Sequence, residues 1–234
     1  MAPNFTSYTI NEFQSFIRTV TVKRRISHIQ IHHTWKPRKS DYKGESTIAA
    51  MWRYHTQERG WNDIGQHFSV APDGLIWDGR SLEHNPAGIS GHNTGGIMFE
   101  MIGNFDKGEE VLEGKQLDAI VIAIRVLLDK FKLGFDDIVF HREHATKSCP
   151  GTGITKAWFL DQVKNRKVTA VKGITSPTPY TEAPEWKQNA IDCLFEEGLL
   201  TSENWKETLE KGLPLWAEAT VLYRIYNQYS KKNG

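Results

Sequence analysis

Apolar positions along this chain recur with two different periods. In residues 28–32, His-Ile-Gln-Ile-His, Ile29 and Ile31 alternate with polar neighbours. A period of two places successive side chains on opposite faces of a strand. A polar loop with Pro37 and Gly44 follows. Ser46 is then positioned to cap a helix reaching about Arg59, with Ile48, Met51, Trp52 and His55 at helical spacing and Gly60 at the end. Residues 68–77 read as a hairpin around Pro72-Asp73-Gly74, where proline presets φ and glycine tolerates positive φ. Residues 96–102 read as a buried strand. The longest helix is expected over 115–132, where Leu117, Ile120, Val121, Ile124, Leu127, Leu128 and Phe131 form one broad apolar face and Gly134 follows the last turn. A short strand at 138–141 and a helix over 158–163 complete this part.

Between residues 165 and 185 the pattern changes. Thr175-Ser176-Pro177-Thr178-Pro179 has no apolar period, and its prolines stiffen the chain as in a linker. Beyond it, Trp186, Ala190, Cys193 and Leu194 fit one helix, and Trp216, Ala219, Leu222, Tyr223 and Tyr226 fit another. The expected organisation is a domain at 1–170, a linker at 171–184 and a small helical domain at 185–234. A segment of about fifty residues can barely bury a core unaided. It therefore packs on the first domain, on a ligand, or on a second copy as a homodimer.

Composition narrows the function. The 234 residues are 39% hydrophobic, which suits a packed fold. Lysines and arginines number 29 against 28 acidic residues, a net charge of +1. No bulk electrostatic pull toward nucleic acid or an acidic membrane results. No run approaches the roughly 20 apolar residues of a membrane span. The first residues lack a basic start followed by an apolar stretch, so the expectation is a protein made in the cytoplasm without a signal peptide. In a reducing compartment Cys149 and Cys193 are expected as thiols.

Nine histidines are present, and none forms His-Glu-x-x-His. The informative segment is His141-Arg-Glu-His-Ala-Thr-Lys-Ser-Cys149-Pro-Gly. A strand ending at His141 and a loop returning through Cys149 can bring imidazole and thiolate to one metal. His32 or His33, at the end of another strand, would make a third ligand. Three protein ligands with one open position is the arrangement of a catalytic zinc site. Glu100 stands in the run Ile97-Met98-Phe99-Glu100-Met101-Ile102, where a carboxyl is costly to bury without a purpose. No Gly-x-Ser-x-Gly elbow occurs.

Over roughly residues 20–165 the chain resembles the zinc amidase family of T7-type phage lysozymes, AmpD-type amidases and peptidoglycan recognition proteins. The resemblance rests on motifs in order: Ile29-Gln-Ile-His-His-Thr34, Gly60-Trp-Asn-Asp-Ile-Gly-Gln-His-Phe68, Asp73-Gly74 leading to Gly79-Arg80, Ser90-Gly-His92, Gly96-Ile-Met-Phe-Glu-Met-Ile-Gly-Asn104, and 141–150. It implies an α/β fold: a central mixed sheet flanked by helices, with a zinc cleft at the strand ends. It implies Zn²⁺ as cofactor, with His32, His141 and Cys149 as ligands and His33 as a neighbour. It implies Glu100 as general base, because AmpD-type members carry a Glu three residues before the central Gly, here Gly103. Lys147, two residues before the last ligand, is the expected oxyanion stabiliser. His92 is expected in the substrate groove and His67 in a hydrogen-bonded core role. A phenol function of T7-type members does not carry over to Gln66.

The implied reaction is hydrolysis of the amide between N-acetylmuramic acid and L-alanine in peptidoglycan. Catalytic domain, linker and small module together suggest a phage endolysin. The second module is faintly similar to surface-layer-homology modules. Two other classes compete. A non-catalytic peptidoglycan receptor often lacks the cysteine ligand, which is retained here. A cysteine hydrolase would use Cys149 as nucleophile and His141 as base.

Overall fold

The alternation at Ile29 and Ile31 builds the strand on which the rest of the fold is registered. In the computed structural model, which describes residues 3–166 together with Asp192 and Glu196, that strand is β2 (His28–His33). It follows β1 (Ser7–Tyr8) and α1 (Ile10–Thr19), and precedes α2 (Glu45–Arg53), β3 (Phe68–Val70), β4 (Ile76–Asp78) and β5 (Gly96–Met101). The long helix α3 (Gly114–Phe131), β6 (Ile138–Phe140) and α4 (Lys156–Asn165) complete the order.

The six strands form one mixed sheet in the order β1-β4-β3-β5-β2-β6. β3, β5, β2 and β6 run parallel; β4 pairs antiparallel with β3, and β1 antiparallel with β4. Alternation then sorts the side chains. Ile29, Ile31, Ile97, Phe99, Met101, Ile138 and Phe140 join one core with residues of the helices, among them Phe13, Ile17, Ile120, Ile124 and Phe159. The opposite face takes His28, Gln30, His32, Met98 and Glu100. Part of that face is covered by α2, whose Ile48 and Met51 pack with Ile64, Trp77 and Ile102 in a second cluster. The uncovered remainder is polar, and the cleft lies there.

Three expectations change. The helix at 45 is not capped by Ser46: Gly44 holds the cap position at φ 65, and the Thr47 hydroxyl accepts the Lys43 N–H at 2.8 Å. Its α-helical part stops at Arg53, and Tyr54–Glu58 forms a π turn, so His55 leaves the straight helix face. At the end of α3 the left-handed residue is Lys132 (φ 56), not Gly134, because Leu133 donates back to the Leu128 carbonyl at 2.9 Å while packing on the core. Helix α1 is an addition to the expected elements. Thr9 and Glu12 make a reciprocal capping box, and Phe13 and Ile17 are fully buried.

The chain divides into two units, Met1–Val168 and Thr169–Gly234. The linker expected at 171–184 and the module at 185–234 lie outside the described residues, apart from Asp192 and Glu196, which are helical. Among the described residues no helix is long and apolar enough to cross a membrane.

Candidate metal centre

Because β5, β2 and β6 are parallel, their carboxyl ends emerge along one edge of the sheet. Ile31 pairs with Phe140, so His32 and His141 are the next residues in register. Their ring centroids are 4.6 Å apart. Cys149 returns on the loop after β6, and one ligand atom from each of His32, His141 and Cys149 lies within 4.8 Å of the others. The adjacent His33 faces the other way. Its Nδ1 accepts the Phe105 N–H at 3.2 Å, while its own backbone N–H donates to the Cys149 Sγ at 3.3 Å.

The loop is clamped. The Arg142 N–H donates to the Cys149 carbonyl at 2.9 Å. The guanidinium of Arg142 donates to the carbonyls of Ser148 at 3.3 Å and Gly151 at 2.7 Å, and also to that of Ile154. Gly151 has φ 114 and lies so close to the Phe105 carbonyl that no Cβ fits.

A metal fits this donor set on two counts. The Nε2 of His32 is buried and has no hydrogen-bond partner. Burial, reinforced by the neighbouring His141 and His33, holds the His32 pKa well below its usual value, so the imidazole keeps a free lone pair. Burial likewise lowers His141, with Lys147 adding to the effect. The Cys149 thiol is pushed up to about 12, chiefly by burial, despite the His33 N–H. A cation beside it is what converts such a thiol to thiolate.

Glu100 is registered directly opposite His32. Its carboxyl lines a cavity of about 400 Å³ with His32, His141, Cys149 and Lys147. Desolvation pushes its pKa up to about 7. Lys147 is exposed at the rim of the same cavity. His92 is not part of that lining. It is exposed, and its ring lies 3.8 Å from that of His144. Its carbonyl accepts from His28 Nε2 at 2.9 Å and Gln30 Nε2 at 2.8 Å. Gln66 and His67 are fully buried. Three further residues shape the site without having been singled out by sequence. Arg142 clamps the loop, Trp35 lines the cavity, and Gly88 leaves no room for a Cβ, which would sit 3.0 Å from His32 Nε2. Their roles depend on contacts across the fold, and no local spacing announces them.

Fold and site together define an α/β protein whose parallel strands gather two histidines and a cysteine at their carboxyl ends, in a donor set that could hold a metal ion. The family model described as N-acetylmuramoyl-L-alanine amidase matches residues 22–152. The chain belongs to that family. It is 28% identical over 172 residues to the human N-acetylmuramoyl-L-alanine amidase, covering 67% of this chain and 29% of the relative. Thus it spans under a third of that protein's length. An endolysin of Klebsiella phage KP32 is 30% identical over 120 residues, covering 50% of this chain and 76% of the relative. Among solved structures, a Drosophila PGRP-LB mutant in complex with tracheal cytotoxin is similar at TM-score 0.50 and 25% identity, covering 58% of this chain and 80% of that one.

Proposed function

We propose that the chain is a zinc-dependent endolysin hydrolysing the amide between the lactyl group of N-acetylmuramic acid and the first L-alanine of the stem peptide. The carrying observation is the convergence of His32, His141 and Cys149 donor atoms in a cavity that also holds Glu100 and Lys147. The named relatives support the amide bond, and the phage relative supports the endolysin reading.

Zinc held by His32, His141 and Cys149 would supply Lewis acidity to the scissile carbonyl and to the attacking water. Glu100 takes one proton from that water as its oxygen bonds to the carbonyl carbon. A carboxyl with pKa raised to about 7 is suited to accept that proton and to return it. It returns the proton to the nitrogen as the C–N bond breaks, and the peptide leaves with a free L-alanine amino terminus. The Lys147 ammonium, at the cavity rim, offsets negative charge developing on the carbonyl oxygen. A cysteine hydrolase fits less well, because a thiol raised to about 12 stays protonated at neutral pH.

Residues 169–234 we infer to be a wall-targeting module, since a net charge of +1 cannot hold the chain on a wall. Dimerisation through that unit is the competing outcome. Host-cytoplasmic synthesis belongs to the same endolysin proposal.

Digestion of purified walls tests the function. New L-alanine amino termini without new reducing sugar ends are expected, and a chelator should abolish them. New reducing ends, or unchanged release after metal removal, would overturn the reading. Sedimentation with walls of the full chain and a chain ended at Val168 tests the module. Equal binding by both overturns it.

A further inference from the structure

Trp35 stands two residues beyond the end of β2 and carries two unusual features. Its backbone is left-handed at φ 57, a conformation that is an outlier for a bulky residue. Its side chain is 55% exposed. The turn is over-determined by bonds on both sides. Thr34 N–H donates to the Met101 carbonyl at 3.0 Å, Trp35 N–H donates to the Gly103 carbonyl at 3.0 Å, and Gly103 N–H returns to the Thr34 hydroxyl at 2.8 Å. Strain of this kind persists where the surroundings enforce it, and it concentrates at ligand clamps. A glycine would occupy the position without strain, so the indole itself is the part that needs a use.

Position supplies that use. Trp35 lines the metal-side cavity and also a second cavity of about 650 Å³, and Glu100 borders both. The second cavity carries another exposed aromatic, Tyr54 (53% exposed), with Asp41, Lys43 and Ser46 as polar neighbours. The metal-side cavity is also lined by Gly65, Ala87 and Gly88, which present backbone and little side chain, and by His55 and Trp61. The second cavity combines aromatic side chains with hydroxyl-binding groups.

We propose that Trp35 is a stacking platform for a pyranose ring of the glycan strand, making the second cavity the sugar arm of the site. The inference rests on the amidase reading above. The axial C–H bonds of a pyranose form an apolar, partly positive face that matches the negative face of an indole. Neighbouring carboxylate, ammonium and hydroxyl groups then take the equatorial hydroxyls. Held by its turn, the ring is presented without further ordering on binding. Trp35 is thus a positioning residue that favours substrates bearing sugar.

The test compares two soluble substrates on the full chain: a disaccharide-peptide and a lactyl-peptide lacking any sugar. Trp35→Gly removes the ring and suits the left-handed backbone, so folding is preserved; Trp35→Phe keeps an aromatic face. Trp35→Gly should lower kcat/KM on the disaccharide-peptide about ten-fold, mainly through KM, and on the lactyl-peptide by less than about two-fold. Trp35→Phe should recover most of the loss. Equal losses on both substrates, or no loss on either, overturn the platform and leave the amidase reading standing. Failure of the unaltered chain to release L-alanine-terminated peptide from both substrates overturns the amidase reading, and the platform with it.

Discussion

The backbone N–H of His33 donates to the Sγ of Cys149 at 3.3 Å, so β2 serves the sulfur through its main chain while its preceding side chain, His32, faces the same centre. A strand thereby fixes one proposed ligand directly and orients another that lies 116 residues beyond His33 in sequence. An N–H donated to sulfur favours the thiolate over the thiol.

Metal content follows from that arrangement. Purified protein should carry about one zinc per chain. His141→Ala or Cys149→Ala should remove both the metal and lysis. Elemental analysis of each variant checks this, and full activity of metal-free Cys149→Ala would contradict it.

Glu100 should matter for turnover and not for metal. Glu100→Ala is expected to keep zinc and to lower kcat by roughly 10²–10⁴, the range for a lost general base. Gln66→Ala should do much less, because Gln66 is fully buried and donates to the Ser69 hydroxyl at 2.9 Å. A larger loss at Gln66 would move the base elsewhere.

Arg142 touches none of the proposed ligand atoms, yet it holds the Cys149 loop through several carbonyls. Arg142→Ala should weaken zinc affinity about 10–100-fold, as losses of supporting contacts around a metal do. Competition with a fluorescent chelator measures the shift. Saturating zinc should rescue activity, which a change at the reacting atoms would not allow.

Gly88→Ala is the converse case. The added methyl would sit 2.6 Å from Met98 Sδ and 3.0 Å from His32 Nε2. It should cost stability through overpacking of about 1–3 kcal/mol and lower zinc occupancy. Denaturant midpoints together with metal content would show both effects, and normal occupancy would show that the loop yields.

His67 sets an acid limit on stability. Its Nδ1 accepts the Met98 N–H at 3.0 Å and its Nε2 donates to the His84 carbonyl at 3.0 Å, so the neutral ring is fully used. Burial lowers its pKa from an ordinary 6.5 to about 3. Between those values the unfolded chain binds a proton that the folded chain refuses. Stability from this residue is therefore complete above the unfolded value and is lost as pH falls below it. From pH 7 to 5 the loss should be about 2 kcal/mol. Urea unfolding at both pH values should show a smaller difference in His67→Gln, and an equal difference would refute the assignment.

Much of this was legible in the chain, for physical reasons that differ by element. Helix α3 shows its long apolar face in the spacing of Leu117 to Leu128, and β2 shows its alternation at Ile29 and Ile31. Helix α1 escaped, although Thr9 and Glu12 have capping-box spacing; its moderate length and polar face leave few apolar markers. Ser46 looked like a cap because its type suits one, whereas loop geometry gave that position to Gly44. At the centre, the order of motifs pointed to His32, His141 and Cys149, which the fold brings together. His92 was expected in the groove; its side chain is exposed, and its carbonyl accepts from His28 and Gln30 of β2. Arg142, Gly88 and Trp35 act by proximity across the fold, so nothing in their local sequence distinguishes them.

Neighbouring strands in any sheet are spaced about 4.7–4.9 Å apart. His32 and His141 follow the Ile31–Phe140 pair of two such neighbours, so the backbone spacing beneath the two imidazoles is a dimension that side-chain substitution hardly alters. The sulfur arrives later, on the loop that follows. An exchange at position 149 would therefore change the donor chemistry while both imidazoles keep their stations: a carboxylate there should admit harder cations.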